Sequence, residues 1–433
     1  MFLALIVSIL TCVGLILLVF LKPSVSIRGE QISIYWLPPF IGALILIFGG
    51  ALSLQEVFAG LTAPTAMNPI KILILFFSMT LLSIFLDRAG FFRYLAETML
   101  TKAKGSQRAL FLTLYITVSV LTVFTSNDII VLTFTPFICY FTRHAKVDPL
   151  PYLFCEFIAA NSWSMLFIIG NPTNIYLATG AEIGFFDYLK VMALPTLLSG
   201  LGSLLALWLL FRQKLQIPLQ QDFAPSARLD RPLVFVGILH VGVCILLLVF
   251  SSVWDLPMWL IALGAACSLF LSAAIYLLAR RRTPAILLDS LKRAPYEMAP
   301  FVLSMFILVL ALEKCGVTAA IADLFRPLPT IPAYGVSSFL AANLMNNIPM
   351  SVLFSGITAG LESATQAAAL YAAVIGSNLG AFFTPIGALA GMMWMQLLKA
   401  HGLHLSFGKF TKYGAAAALP ALALALLGLW IAL

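Results

Sequence analysis

Charge is what this chain has least of. Only 10% of its 433 residues are Asp, Glu, Lys or Arg, where a soluble globular chain carries about 25%. No polar segment is longer than about twenty residues, which excludes a separate water-soluble domain. Cysteine is sparse too. Cys12, Cys139, Cys155, Cys244, Cys267 and Cys315 form no C-x-x-C pair and no cluster with histidine, so neither a disulfide framework nor a zinc site is expected, and no metal ligand is named among them. No glycine loop followed by Lys and Ser or Thr occurs, so the chain carries no ATP-binding motif of that kind. No Ser–Lys pair or His/Asp/Glu cluster falls at a shared depth in the apolar runs, which argues against an enzyme and leaves no catalytic residue to name.

What the chain has instead is apolar length. Hydrophobic residues make up 62% of it, and runs of about 20 recur from end to end, the pattern of a polytopic helical membrane protein. The formal charge of +8 would suggest nucleic acid in a soluble protein. Here the basic residues lie in short loops, so the positive-inside rule explains them and no nucleic-acid partner is expected. The first run, Phe2–Leu21, has no basic residue ahead of it and no small-residue cleavage site, and reads as a retained span.

Polar residues inside these runs need a reason. An aspartate at bilayer depth costs about 2.5–3.5 kcal/mol on insertion scales. Ser126, Asn127 and Asp128 interrupt the run from Ala109 to Phe141, which has basic residues at both flanks. Each limb is about 13–17 residues, short for a crossing. This predicts a re-entrant hairpin over 109–141 on the cytoplasmic side, its tip buried in protein or lining a cavity. A second, outside-facing hairpin is predicted over 331–358, broken at Met345-Asn346-Asn347. Pro151–Ala178 breaks at Gly170-Asn171-Pro172-Thr173-Asn174, and Ala367–Lys399 at Thr384-Pro385-Ile386-Gly387, where proline opens the helix.

The landmarks recur in order. Leu86-Asp87-Arg88-Ala89-Gly90 matches Leu312-Glu313-Lys314-Cys315-Gly316, Ser126-Asn127-Asp128 matches Met345-Asn346-Asn347, and Asn171-Pro172-Thr173 matches Thr384-Pro385-Ile386, with separations between 213 and 226 residues. The expected architecture is all-α, with about ten spans and two re-entrant hairpins. Residues 1–211 form a first five-span repeat, 212–231 a cytoplasmic linker and 232–433 a second repeat. An odd number of spans inverts the second half relative to the first, with broken helices meeting at the midplane.

Broken helices expose backbone amides and carbonyls, and half-helix N-termini favour anions or electron-rich oxygens. The candidate substrate and ion site is therefore Ser126, Asn127, Asp128, Gly170, Asn171, Pro172, Thr173, Asn174, Asn346, Asn347, Ser377, Asn378, Thr384 and Pro385. Asp128 is the one carboxylate at a break; its counterpart is Asn347. A desolvated carboxylate favours its protonated form, so Asp128 is a candidate proton carrier, and a sodium ligand or a hairpin cap otherwise. Glu156, a turn or two into the fourth span, is a second titratable candidate or an interfacial residue. His240 reads as a packing histidine.

With Gly376-Ser377-Asn378-Leu379-Gly380 and Thr384-Pro385-Ile386-Gly387 added to these motifs, the chain resembles the ArsB/NhaD families of the ion transporter superfamily, most nearly the arsenical pump membrane protein family. The resemblance covers nearly the whole chain. Related members include sodium-coupled dicarboxylate and sulfate transporters. Where the arsenical pump pattern has an acid and a base, this chain has Asn378 and Phe382. The resemblance implies an ion-coupled secondary transporter of a bacterial cytoplasmic membrane. Its solute would be small and inorganic, arsenite or antimonite or a related oxyanion, coupled to protons and using no cofactor beyond H+ or Na+. A sodium/proton antiporter or sodium-coupled anion symporter of the same fold is the alternative, and a membrane sensor without turnover a third. Membrane lipid is the certain partner; a homodimer and a separate ATPase subunit are both compatible with the sequence.

Overall fold

A computed structural model describes residues 2–433 except 22–23, 28–29, 64–67, 103–104, 181–182, 219–228 and 252. The middle of the expected linker thus lies outside the described residues. In the first half the helices are α1 (Phe2–Leu21), α2 (Leu37–Phe48), α3 (Leu54–Thr62), α4 (Pro69–Arg88), α5 (Phe91–Lys102), α6 (Gln107–Phe124), α7 (Asn127–His144), α8 (Leu150–Trp163), α9 (Pro172–Gly180) and α10 (Phe185–Phe211). The second half has α11 (Arg231–Val249), α12 (Met258–Ala279), α13 (Ala285–Lys292), α14 (Met298–Lys314), α15 (Val317–Phe325), α16 (Thr330–Met345), α17 (Asn347–Thr358), α18 (Ser363–Gly380), α19 (Leu389–Ala400) and α20 (Phe407–Ala432). One short ribbon departs from the all-α expectation: β1 (Ser24–Ile27) pairs antiparallel with β2 (Glu30–Ser33). Its Ser-Val-Ser-Ile alternation has the two-residue period of a strand.

Six described helices (α4, α6, α10, α11, α12 and α20) are each long and apolar enough to cross a bilayer; α6, the first limb of the expected hairpin, is among them because Gln107 and Arg108 extend it to 18 residues. α14 passes the same test together with α15, from which it bends by 75°. The helices start and stop where local chemistry says they should. Asn68 caps α4 by accepting from Ile70 and Lys71 N–H, with Pro69 in the first turn. Ser106 and Ser406 cap α6 and α20 in the same way. The recurring acid–base–small–glycine motif is a helix stop: Gly90 (φ 87°) and Gly316 (φ 74°) take the left-handed conformation that glycine adopts without a Cβ penalty.

The same succession follows each stop: a short helix (α5, α15), a two-limbed pair (α6–α7, α16–α17), a broken helix (α8–α9, α18–α19) and a long helix (α10, α20). Packing repeats as well. α6 lies on α8 as α16 lies on α18; α7 meets α19 as α17 meets α9; α4 packs on α12 as α14 packs on α2; and α10 packs on α20. The core is built on the broken helices. Every residue of α8 from Pro151 to Ser162 and of α18 from Ala369 to Gly380 is buried, as expected of helices apolar all round. Helices α11 and α12 instead expose Phe235, Leu246, Leu271 and Ile275, an apolar face suited to lipid.

Candidate functional site: a cavity at four helix starts

A cavity of about 490 Å³ opens between the two halves. Its wall includes Ser126, Asn127 and Asp128 at the start of α7, Asn171 and Pro172 at the start of α9, Asn347 and Ile348 at the start of α17, and Ala388 and Ala390 at the start of α19. Four helix N-termini therefore converge on one space. Each leaves backbone N–H groups without an intrahelical acceptor and carries a partial positive charge of roughly half a unit.

The two hairpin tips reach the cavity differently. At the first, Thr125 and Ser126 are extended, and Ser126 makes no side-chain cap bond. Asn127 Nδ2 donates to Asn161 Oδ1 (3.1 Å). Its Oδ1 is buried without a partner among the described residues. Asp128 is partly exposed, to the cavity, and its carboxylate has no ion pair or hydrogen bond among the described residues. At the second tip, Asn346 has φ 77° and ψ 153°, a conformation normally left to glycine. It is held there by bonds: Asn346 N–H to Ala342 O (2.8 Å), Nδ2 to Ile386 O (3.1 Å), and Oδ1 from Ile348 N–H (3.3 Å). Asn347 N–H donates to Gly387 O (3.1 Å).

Behind the cavity the broken helices are tied by side-chain amides. Asn378 Oδ1 accepts from Asn171 Nδ2 (3.0 Å) and Ser164 Oγ (2.9 Å), while Asn378 Nδ2 donates to Asn174 Oδ1 (2.6 Å). Ser377 Oγ donates to Thr173 Oγ1 (2.8 Å). Asn171 Oδ1 accepts from the N–H and hydroxyl of Thr173. In the second break, Asn343 Oδ1 accepts from the Thr384 hydroxyl (2.6 Å) and N–H (3.1 Å). Gly170 allows close approach, since a Cβ there would overlap the Ser164 carbonyl. The structure therefore divides the expected residues. Ser126, Asn127, Asp128, Asn171, Pro172 and Asn347 line the cavity. Gly170, Thr173, Asn174, Asn346, Ser377, Asn378, Thr384 and Pro385 do not; most of these form the bonded layer that holds the cavity's wall.

Several cavity residues were not singled out from sequence. Tyr35, Thr80, Thr133, Lys292, Arg293 and Glu297 also line the wall, beside Asp87 of the recurring motif. Thr133 Oγ1 donates to Asp87 Oδ1 (2.9 Å), and Arg293 Nη1 lies 3.7 Å from Asp87 Oδ2. Asn161, Ser164 and Asn343 of the bonded layer were missed as well, although each lies within two turns of a break. Glu156 is fully buried and stands off the cavity, its carboxyl bonded by Thr135 Oγ1 (3.0 and 3.1 Å). His240 Nε2 meets Ser268 Oγ (3.1 Å), consistent with packing.

Comparison with known proteins gives a consistent picture. An arsenical pump membrane protein of Escherichia coli is 25% identical over 399 residues, spanning 88% of this chain and 90% of its own. A second, from Escherichia coli strain K12, is 27% identical over 365 residues, 80% of this chain and 83% of its own. An uncharacterized transporter of Synechocystis is 26% identical over 426 residues, 92% of each chain. The crystal structure of the Alcanivorax borkumensis YdaH transporter, described as having an unusual topology, superposes with a TM-score of 0.57, at 13% identity, over 99% of this chain and 98% of its own, a likeness of fold. The citrate transporter family model, CitMHS, matches residues 15–375. The protein thus belongs to the citrate transporter (CitMHS) family and is a secondary transporter of the bacterial cell membrane, not an enzyme.

Proposed function

We propose that the protein moves a small inorganic solute, arsenite or antimonite or a related oxyanion, across the cytoplasmic membrane in exchange for, or together with, protons, and that Asp128 carries the coupling. The observation behind this reading is the convergence of four helix N-termini on one cavity. Such a wall attracts oxygen-rich solutes through N–H groups and partial charge. Ionised, Asp128 takes up part of that positive potential; protonated, it releases it to the solute. Solute and proton thus compete for or share one field.

Citrate, the substrate in the family's description, fits the charges less well. Lys292 and Arg293 are the only bases on the described wall, both on an exposed segment and accompanied by Asp87 and Glu297. Three carboxylates would meet no buried cation beside Asp128. The names of the arsenical pump relatives favour the inorganic solute. One observation supports a sodium reading of the coupling ion: Asn127 Oδ1, an unpartnered buried acceptor, adjoins Asp128. Under this proposal the two halves are inverted repeats. The ion pairs Arg88–Asp289, Arg282–Asp230 and Lys214–Asp148 then mark the cytoplasmic end, and Lys314–Glu56 the outer one.

The test is thermal stabilisation of the purified protein by arsenite, antimonite, phosphate, sulfate, citrate and sodium, followed by counterflow in proteoliposomes. A ligand of the folded state raises apparent stability by mass action. Arsenite or antimonite stabilisation with counterflow is expected. Stabilisation by citrate alone, or sodium alone dissipating a pH gradient, would sink the inorganic-solute reading.

A further inference from the structure

We infer that Glu156 is a second proton-binding site, linked to the cavity by the two helices that face its carboxyl. The acid sits in α8 with none of its surface exposed. No Lys, Arg or His forms an ion pair with it among the described residues. An unpaired acid in such a core is costly when ionised, and nothing in the packing of α8 alone requires a carboxyl there.

Two donors meet it, from different parts of the chain. Thr135 of α7 donates its hydroxyl to both oxygens. Trp394 of α19 turns its indole N–H toward the same carboxyl, yet that N–H is buried without a bond of normal geometry. The indole is held by Phe157, stacked at 4.6 Å, and by the edges of Phe154 and Phe410. Two donors suit an ionised carboxylate. A protonated carboxyl can instead donate to Thr135 Oγ1 and leave the indole N–H idle. The site therefore has bonded arrangements for both protonation states.

The link to the cavity is positional. Thr133 lines the cavity and Thr135 holds Glu156, two residues apart on α7. Met393 lines the cavity and Trp394 faces Glu156, adjacent on α19. α7 and α19 pack on each other, and both begin at the cavity. A shift of either helix on solute binding changes how many donors reach the carboxyl, and so its hold on a proton. By reciprocity, a proton on Glu156 changes solute affinity. The other titratable groups nearby are Cys139 of α7 and Cys155 of α8, thiols on which a charge at Glu156 acts. Tyr152 of α8 is bonded to Gln107 of α6, Tyr115 of α6 to Ser203 of α10, and Tyr413 of α20 packs on Phe154. Tyr371 of α18 packs on Tyr188 of α10.

This inference takes its meaning from the transporter reading, but its test needs no solute. Infrared difference spectra of the purified protein between about pH 5 and about pH 9 cover the upper tail of carboxyl titrations in proteins, where buried acids fall and ordinary ones are already ionised. The wild type should show a protonated-carboxyl band that is lost with rising pH, absent from Glu156→Gln and retained in Asp128→Asn. Trp394→Phe and Thr135→Val, which keep the carboxyl and remove one donor each, should move its midpoint by about one pH unit, tenfold in proton affinity. Met393→Trp, which crowds the cavity wall, should move it by at least about half as much. A band unchanged in Glu156→Gln, or no pH-dependent band at all, would reduce Glu156 to a fixed packing group. A midpoint that Met393→Trp leaves unmoved would overturn the link to the cavity, and one that neither Trp394→Phe nor Thr135→Val moves would overturn the two-donor site.

Discussion

The two hairpin tips occupy matching places and are built to different ends. The tip at Ser126–Asp128 is relaxed in backbone and underbonded: a capless serine, a buried amide oxygen with no partner, and a carboxylate facing the cavity. At the other tip Asn346 is strained and bonded into the second break through its side chain, and the Asn347 N–H joins it there. A strained φ costs of order 1–3 kcal/mol and persists only where its surroundings over-determine it. The comparison separates a tip that holds the wall in place from a tip that leaves its groups free to bind. Under the proposed mechanism, Asp128 is the charge that makes the difference functional.

Moving that charge is the strongest way to break the comparison. The double variant Asp128→Asn/Asn347→Asp keeps the number of acids on the cavity wall and moves one of them to a different helix start. If position matters, solute-driven proton flux in proteoliposomes falls to background. Flux close to the wild type would mean that the tips are interchangeable. Next in size is the amide layer. Asn378→Ala leaves Asn171, Asn174 and Ser164 short of partners, and should destabilise the protein by about 3 kcal/mol, read as a lower thermal midpoint in detergent. Smaller again is the contrast between the tips themselves. Asn346→Ala should cost about 2 kcal/mol, through lost bonds with the strain retained. Asn346→Gly should cost less, because glycine accepts the φ, and Ser126→Ala should stay within about 0.5 kcal/mol. Equal costs for Asn346→Ala and Ser126→Ala would erase the distinction.

The smallest effect lies outside the spans. Lys314, bonded to Glu56, and the Ser53 cap hold the Glu56 carboxyl down at about 2, below its ordinary 4.5. Because the folded value is the lower one, this contribution is complete above about pH 4.5 and is lost as the pH falls toward about 2. Glu56→Gln should therefore lower the thermal midpoint slightly at neutral pH, and the gap to wild type should narrow on acidification. A gap that widens would contradict the sign.

Much of this arrangement was legible in the sequence, because polar residues in apolar runs are expensive and stand out. Ser126-Asn127-Asp128, Asn346-Asn347 and the two proline breaks were found that way, and the helix stops at Gly90 and Gly316 by their repetition. What sequence did not separate is lining from bracing. Asn171 and Asn378 have the same side chain and are bonded to each other, yet Asn171 reaches the cavity wall while Asn378 lies wholly behind it, held by Ser164, Asn171 and Asn174. That choice is made by which face of each helix meets its counterpart. Lys292, Arg293 and Glu297 were invisible, and Asp87 was seen only as part of a landmark, for the opposite reason: at span ends, charge is common, and only the fold brings these four to one wall.

The coupling role of Asp128 is tested most directly by arsenite counterflow in proteoliposomes with an internal pH reporter, wild type beside Asp128→Asn. The mechanism predicts arsenite-driven proton movement in the wild type, and its loss in a variant that remains folded and still binds arsenite. Proton movement of wild-type size in Asp128→Asn would contradict it.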